Sequence, residues 1–282
     1  MKNKALKRLI CCLWVILCLS ASHVYAYYPV VKKDTTNNFR VRTIVIDPGH
    51  GGHTGAKGTY STEEQVTLAL GFKLQKAIQK EIKDVRVVMT RTTPDGVSLQ
   101  ARADIANEAK GDLFISLHCN ALPEKIHIVH GKKVRIPDHS GKGVLELVYI
   151  LRRDKEEGAA LRENLFDEKD TKGGPNLGFD PTDPGQMIIL NAFKAKYRKN
   201  SILFANLVND EFVQTDGRPS DGVLEQSIHV LCHTAMPSVL IETGFIDNPA
   251  EEDFLNSEDG QNQIVASIVR AIINYKKEIE PI

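Results

Sequence analysis

Thr43 to Ile46, Leu113 to Leu117 and Val239 to Ile241 are short runs of mostly apolar residues bounded by turn formers, and each reads as a buried strand. Between them the spacing turns helical. Val66, Leu68, Leu70, Phe72, Leu74 and Ile78 give a broad apolar face to a helix over 62–81. Ser61 or Thr62 caps it, since Ser61 with Glu64 and Thr62 with Gln65 both have capping-box spacing. The pattern predicts strands near 42–47, 85–90, 113–118 and 239–242, and helices near 62–81, 98–109, 201–213 and 260–277. Strands interleaved with helices of this length imply an α/β domain with a mostly parallel sheet covered on both faces.

The middle of the chain follows this alternation less closely. Gly143 to Leu151 reads as a buried strand, 152–170 as a charge-rich helix, Lys172 to Gly185 as a turn-rich loop and Met187 to Lys199 as a further helix. His127, His130 and His139 fall in a polar, loop-rich stretch and are expected to be exposed.

Chemistry enters where the strands end. The first run passes through Asp47-Pro-Gly to His50, the second ends at His118 with Asn120 beyond, and the third ends at Glu242. Ligand sites in open α/β sheets lie at the carboxyl ends of strands. Pro48 and the glycines around His50 let the backbone turn and keep bulk away from the imidazole. Glu63 and Glu64 open the first helix, where acids also complement the helix dipole. Two histidines and a carboxylate with an open fourth position suit a catalytic zinc site, and Glu242 outside that set suits proton transfer. No His-Glu-x-x-His run is present, which excludes that metalloprotease plan. His53 lies in the glycine-rich turn and could line the cleft, His229 reads as a packing residue, and Arg102 as a structural ion-pair partner.

Composition narrows the setting. Lys2, Lys4, Lys7 and Arg8 precede an apolar run from Leu9 to Leu19, and Val24-Tyr-Ala26 ends in small residues, so 1–26 reads as a secretory signal. The run is too short for a comfortable membrane span, so stable membrane insertion is not expected. Residues 27–40 are polar and read as a linker, leaving 41–282 as one domain. Loss of the signal's four basic residues turns a balance of 36 basic and 36 acidic side chains into an excess of four acids, which argues against nucleic acid. Cys119 and Cys232 remain after the signal and read as buried free thiols. A monomer is the default.

Five motifs in order resemble the zinc-dependent N-acetylmuramoyl-L-alanine amidases of the amidase type 3 family. They are Ile46-Asp-Pro-Gly-His-Gly-Gly52, Glu63 at the helix start, Thr90-Arg91 with Leu99-x-x-Arg-Ala-x-Ile-Ala-Asn107, Ser116-Leu-His-Cys-Asn-Ala121, and Pro237-Ser-Val-Leu-Ile-Glu-Thr-Gly-Phe-Ile-Asp-Asn248. The resemblance covers most of 41–276 and implies a twisted sheet of about six strands flanked by helices. It implies zinc ligands at His50, Glu63 and His118, with Glu63 preferred to Glu64, and a catalytic glutamate at Glu242. Asn120 is a candidate for substrate or water contact. The implied reaction is hydrolysis of the amide between the lactyl group of N-acetylmuramic acid and L-alanine of the peptidoglycan stem peptide.

Some relatives in cell separation carry an inserted helix that plugs the zinc site until an envelope activator displaces it. Arg162-Glu-Asn-Leu165 resembles part of that helix, within an insertion at about 152–199, which makes Glu163 a candidate inhibitory ligand. This resemblance points to the periplasm and to septal wall splitting. The alternatives are a cell-wall zinc peptidase or deacetylase, and a non-catalytic peptidoglycan-binding regulator.

Overall fold

The computed structural model describes residues 39–130, 132–150 and 182–280. Eight strands occur among them: β1 (Thr43–Pro48), β2 (Arg86–Met89), β3 (Leu113–Asn120), β4 (Lys125–Val129), β5 (Lys132–Ile136), β6 (Val144–Tyr149), β7 (Ser220–Gln226) and β8 (Ser238–Phe245). Six of them form one sheet in the order β2-β1-β3-β8-β6-β7, and β4 with β5 forms a separate hairpin. β2, β1, β3 and β8 are mutually parallel, and β6 runs antiparallel to β8 while pairing parallel with β7. The expected α/β domain with a mostly parallel six-stranded sheet is therefore what the chain forms.

Side-chain alternation along each strand builds two cores. Ile44 and Ile46 of β1, Leu113, Ile115 and Leu117 of β3, and Val239 and Ile241 of β8 face the larger one. Helices α1 (Glu63–Glu81), α3 (Pro184–Asp210) and α6 (Glu258–Ile279) supply its other side, through residues such as Leu70, Phe204 and Ile268. Val45, Phe114 and Leu240 point the opposite way, against Ala106 of α2 (Leu99–Glu108) and Val230 to Cys232 of α4 (His229–Cys232). Helix α5 (Pro249–Asn256) follows β8. Helices thus cover both faces, and none among the described residues is long and apolar enough to cross a membrane.

Several boundaries differ from the sequence reading. The apolar stripe of α1 is Val66, Leu70, Leu74 and Ile78, at every fourth residue, while Phe72 is exposed. The two helices expected over 187–199 and 201–213 are one helix, α3, closed by a π-helical turn over Glu211–Thr215. Its Ser201, Phe204, Ala205 and Val208 are buried, so this half belongs to the main core. Its start is set by Asp183, whose carboxylate accepts from Gly185 N at 2.7 Å, followed by Pro184 in the first turn. The stretch read as loop around His127 and His130 is the β4–β5 hairpin, and both histidines are exposed as expected. Cys119 and Cys232 are buried free thiols. The expected signal, the linker up to residue 38, and Glu163 lie outside the described residues.

Candidate metal centre

At the carboxyl edge of the sheet, β1 runs into a turn that only a glycine-rich sequence tolerates. His50 (φ +62°), Gly51 (+113°), Gly52 (+63°) and His53 (+64°) all have left-handed backbone. Two buried arginines hold this turn. Arg91 donates from Nε to Pro48 O at 2.9 Å and from Nη2 to Gly49 O at 2.8 Å. Arg102 donates from Nη1 to Pro48 O at 2.7 Å, and from Nη2 to His50 O. Arg102 also pairs with buried Asp47 at 2.6 Å, the structural role read for it from sequence. Asp47 accepts further from Thr90 Oγ1 at 2.5 Å and Ser116 Oγ at 2.8 Å, so its charge is fully engaged.

The turn delivers His50 beside His118. Their ring centroids are 4.9 Å apart at 74°. Gly49 makes room for this: a Cβ there would stand 2.5 Å from the His118 ring. Glu63, first residue of α1, reaches both rings. Its Oε2 lies 3.1 Å from His50 Nε2 and its Oε1 lies 2.9 Å from His118 Nδ1. Backbone amides hold the same carboxylate, Ala56 N at 2.7 Å and Cys119 N at 3.0 Å. Burial alone would raise the Glu63 pKa, but hydrogen bonds from His118 and His50 outweigh it and keep the group well below the usual carboxylate range. Glu64 points elsewhere. It accepts from His53 N at 2.6 Å and faces the solvent-exposed His53 ring, which leaves the cleft to others. Gln65 reaches back to Thr62 N at 3.3 Å, which identifies Thr62 as the cap of α1.

Glu242 is opposite His118 in the β3–β8 pairing, so the two side chains share a face. One of its oxygens, Oε2, is buried with no hydrogen-bond partner among the described residues. Burial pushes its pKa up to about 7, with the His118 charge opposing and Glu63 adding. A cleft of about 390 Å³ opens beside the two histidines, lined by His50, Gly51, Ser98, Leu99, His118 and Val230 among others. Asn120 ends β3, and its Oδ1 accepts from Ala121 N at 2.8 Å. His229 stacks on His233 with centroids 3.8 Å apart, and its Nε2 is 3.3 Å from Gln100 Oε1.

The donor set fits a zinc ion. One atom from each of His50, Glu63 and His118 lies within 4.8 Å of the others, and these three are the chain's only such cluster among the described residues. Two imidazole nitrogens and an ionised carboxylate oxygen are the borderline ligands zinc accepts, with a position left over.

One supporting residue escaped the sequence reading. Glu252 of α5 is fully buried and accepts from Thr59 N (2.7 Å), Tyr60 N (2.9 Å), Ser61 N (2.8 Å) and Ser61 Oγ (2.8 Å). It fastens the loop that presents Glu63. Its only local signal is an acid in the first turn of a helix, which ordinarily reads as dipole complement.

A profile of the N-acetylmuramoyl-L-alanine amidase family matches residues 44–274. The chain belongs to this family. Among its relatives is the N-acetylmuramoyl-L-alanine amidase AmiA of Escherichia coli K12, 27% identical over 239 residues, with 83% of this chain and 76% of that protein covered. Two solved structures share the amidase fold. An N-acetylmuramoyl-L-alanine amidase from Clostridium difficile 630 superposes with a TM-score of 0.58 at 23% identity, covering 84% of this chain and 97% of that one. The CwlD amidase of Clostridioides difficile, solved with the GerS lipoprotein, gives 0.58 at 20% identity, covering 84% and 99%.

Proposed function

We propose that this family member is a secreted zinc amidase that cuts the bond between the lactyl group of N-acetylmuramic acid and L-alanine of the stem peptide. The observation that carries this is the placing of Glu242 opposite His118 in the sheet, with His118 gathered with His50 and Glu63 beside an open cleft. His50, Glu63 and His118 hold the metal. A zinc ion there supplies Lewis acidity toward an amide carbonyl and brings the pKa of water toward neutrality. Glu242 takes the proton of the attacking water and returns it to the departing alanine nitrogen. A carboxyl raised to about 7 by burial exchanges a proton readily in both directions near neutral pH. Arg91, Arg102 and Glu252 keep the loops of His50 and Glu63 in place. Asn120 contacts substrate through its amide nitrogen, since its oxygen is engaged by Ala121 N.

In this reading residues 1–26 direct secretion to the periplasm, 27–40 link, and 41–282 form the catalytic domain, with septal peptidoglycan as substrate. Glu163, in the inserted segment at about 152–199, fills the open position until an activator withdraws it. A tethered carboxylate has the effective concentration to compete with water. CwlD in complex with a lipoprotein supports a protein partner of this kind. Glu163→Ala then raises basal hydrolysis, and a variant no faster than wild type removes this part of the proposal.

The deciding experiment is mass spectrometry of products released from purified sacculi. Intact glycan strands and free peptides beginning with L-alanine are expected. Peptides cut internally, or deacetylated sugars, would transfer the reading to a wall peptidase or deacetylase.

A further inference from the structure

The β4–β5 hairpin stands apart from both cores. Every residue of both strands is exposed, and among the described residues neither strand pairs with any other. A two-stranded hairpin is marginal in water without something to pack on, and this one exposes five aliphatic side chains, including Ile126 at 62% and Ile128 at 75%. His130 (φ +49°), with Gly131 next in sequence, makes the turn. The base is pinned just past the carboxyl ends of β3 and β8. Leu122 N donates to Asp247 Oδ2 at 2.9 Å and His139 bonds Asp247 O, five residues beyond Glu242. Only Ala121 to Glu124 separate the end of β3 from β4.

The register shows what the hairpin suits. Its rungs are Lys125–Ile136, Ile126–Arg135, His127–Val134, Ile128–Lys133 and Val129–Lys132. Each sets one aliphatic side chain opposite one basic or imidazole side chain. A hairpin built to enter a bilayer or a protein core gathers its apolar atoms on one face or at the tip, and this one does neither. A second copy is disfavoured by like charge. Lys125 pairs with Asp138 at 2.7 Å and Arg135 approaches Glu124 at 3.8 Å, while Lys132 and Lys133 near the turn have no acidic partner among the described residues. An aliphatic side chain at every rung, facing a lysine or arginine at four of the five, beside strand edges that pair with no other strand among the described residues, matches an extended peptide carrying carboxylates and methyl groups.

We propose that the β4–β5 hairpin is a second contact surface for the acidic, alanine-bearing stem peptides of peptidoglycan, at the same carboxyl edge of the sheet as the metal centre. The proposal rests on the wall-amidase reading and names a part of the substrate that lies beyond the scissile bond.

The test is sedimentation with insoluble sacculi, using the full chain with Glu242→Gln so that nothing is digested. Adding Lys132→Glu and Lys133→Glu is expected to weaken binding at least fivefold at low salt, and the parent's binding to fall as salt rises. A second variant, Ile126→Ser with Ile128→Ser, is expected to weaken it too; circular dichroism checks that both fold. Glycan strands stripped of stem peptides should bind the parent poorly. Equal binding of parent and charge variant overturns the proposal, as does equal binding to stripped glycan. Parent binding to phosphatidylglycerol vesicles that exceeds sacculus binding, and is lost in the same variants, also overturns it and makes the surface a lipid contact. Failure of the wild type to release L-alanine peptides is a separate result, which removes the amidase reading without touching the sedimentation measurement.

Discussion

Glu242 of β8 and His118 of β3 are direct partners across parallel strands, on one face of the sheet. Their spacing is therefore set by the strand ladder and not by loop conformation. Neighbouring strands are about 4.8 Å apart, which holds the proposed proton-transfer group close to a metal-ligand candidate without placing it in the ligand set. A register slip of one residue would turn Glu242 to the opposite face, into the larger core.

Glu242→Gln keeps the shape of the side chain and removes its ability to carry a proton. Hydrolysis of sacculi is expected to fall by about 10²–10⁴-fold. Zinc content, measured by atomic absorption after dialysis, should match wild type. Loss of metal along with activity would show that Glu242 acts as a ligand and not as the base.

Glu63→Gln and Glu64→Gln separate two adjacent acids that the sequence leaves close to equivalent. Glu63 meets both rings of the cluster, and Glu64 meets His53. In a competition titration with a chromophoric chelator, Glu63→Gln should weaken zinc binding at least tenfold and Glu64→Gln by less than threefold. The reverse order would reassign the ligand.

The legible parts of this molecule are those written locally. His50, His118 and Glu242 each follow an apolar run within a few residues, so both the sheet and its reactive side chains could be read from the chain. The supports were hidden because they act at long range. Glu252 fixes the loop of Ser61 from 191 residues away, and no local pattern distinguishes it from an ordinary helix-start acid. The hairpin was missed for a different reason. Lys125-Ile-His-Ile128 and Lys133-Val-Arg-Ile136 do alternate with a strand's two-residue period, but each is short and rich in basic residues, without the apolar run that marks the core strands. The break expected between 199 and 201 failed because Asn200 and Ser201 are weak helix formers that here are buried, where Ser201 Oγ accepts from Ser238 N at 2.8 Å. Tertiary contact overrides propensity there.

Arg102→Ala tests the clamp under His50. It leaves Asp47 charged and buried with only the hydroxyls of Thr90 and Ser116, it frees the carbonyl of His50, and it leaves Pro48 O to Arg91 alone. Breaking a buried pair from one side costs about 3–5 kcal/mol, a substantial fall in unfolding midpoint. Arg102→Lys should recover charge but not both carbonyl contacts, giving intermediate stability with zinc affinity still reduced. Full recovery by lysine of both would show that only the charge of Arg102 matters.

Glu146 tests a buried acid that the proposed chemistry does not use. It lies on β6, fully buried, with neither carboxylate oxygen hydrogen-bonded among the described residues. Burial raises its pKa from 4.5 to about 8. The folded protein therefore keeps this proton to a higher pH than the unfolded chain does. Its contribution is least unfavourable below pH 4.5, and stability is lost as pH rises from there through about 8. Glu146→Gln stays neutral throughout and escapes that loss. Unfolding of the metal-free proteins should give similar midpoints at pH 4.5, and a clear advantage for the variant at pH 9, on the order of a few kcal/mol. Because wild type and variant share every other titrating group, the difference between their pH profiles isolates this one carboxyl. A constant difference across that range would mean that Glu146 finds a partner on ionising and does not carry its charge unpaired.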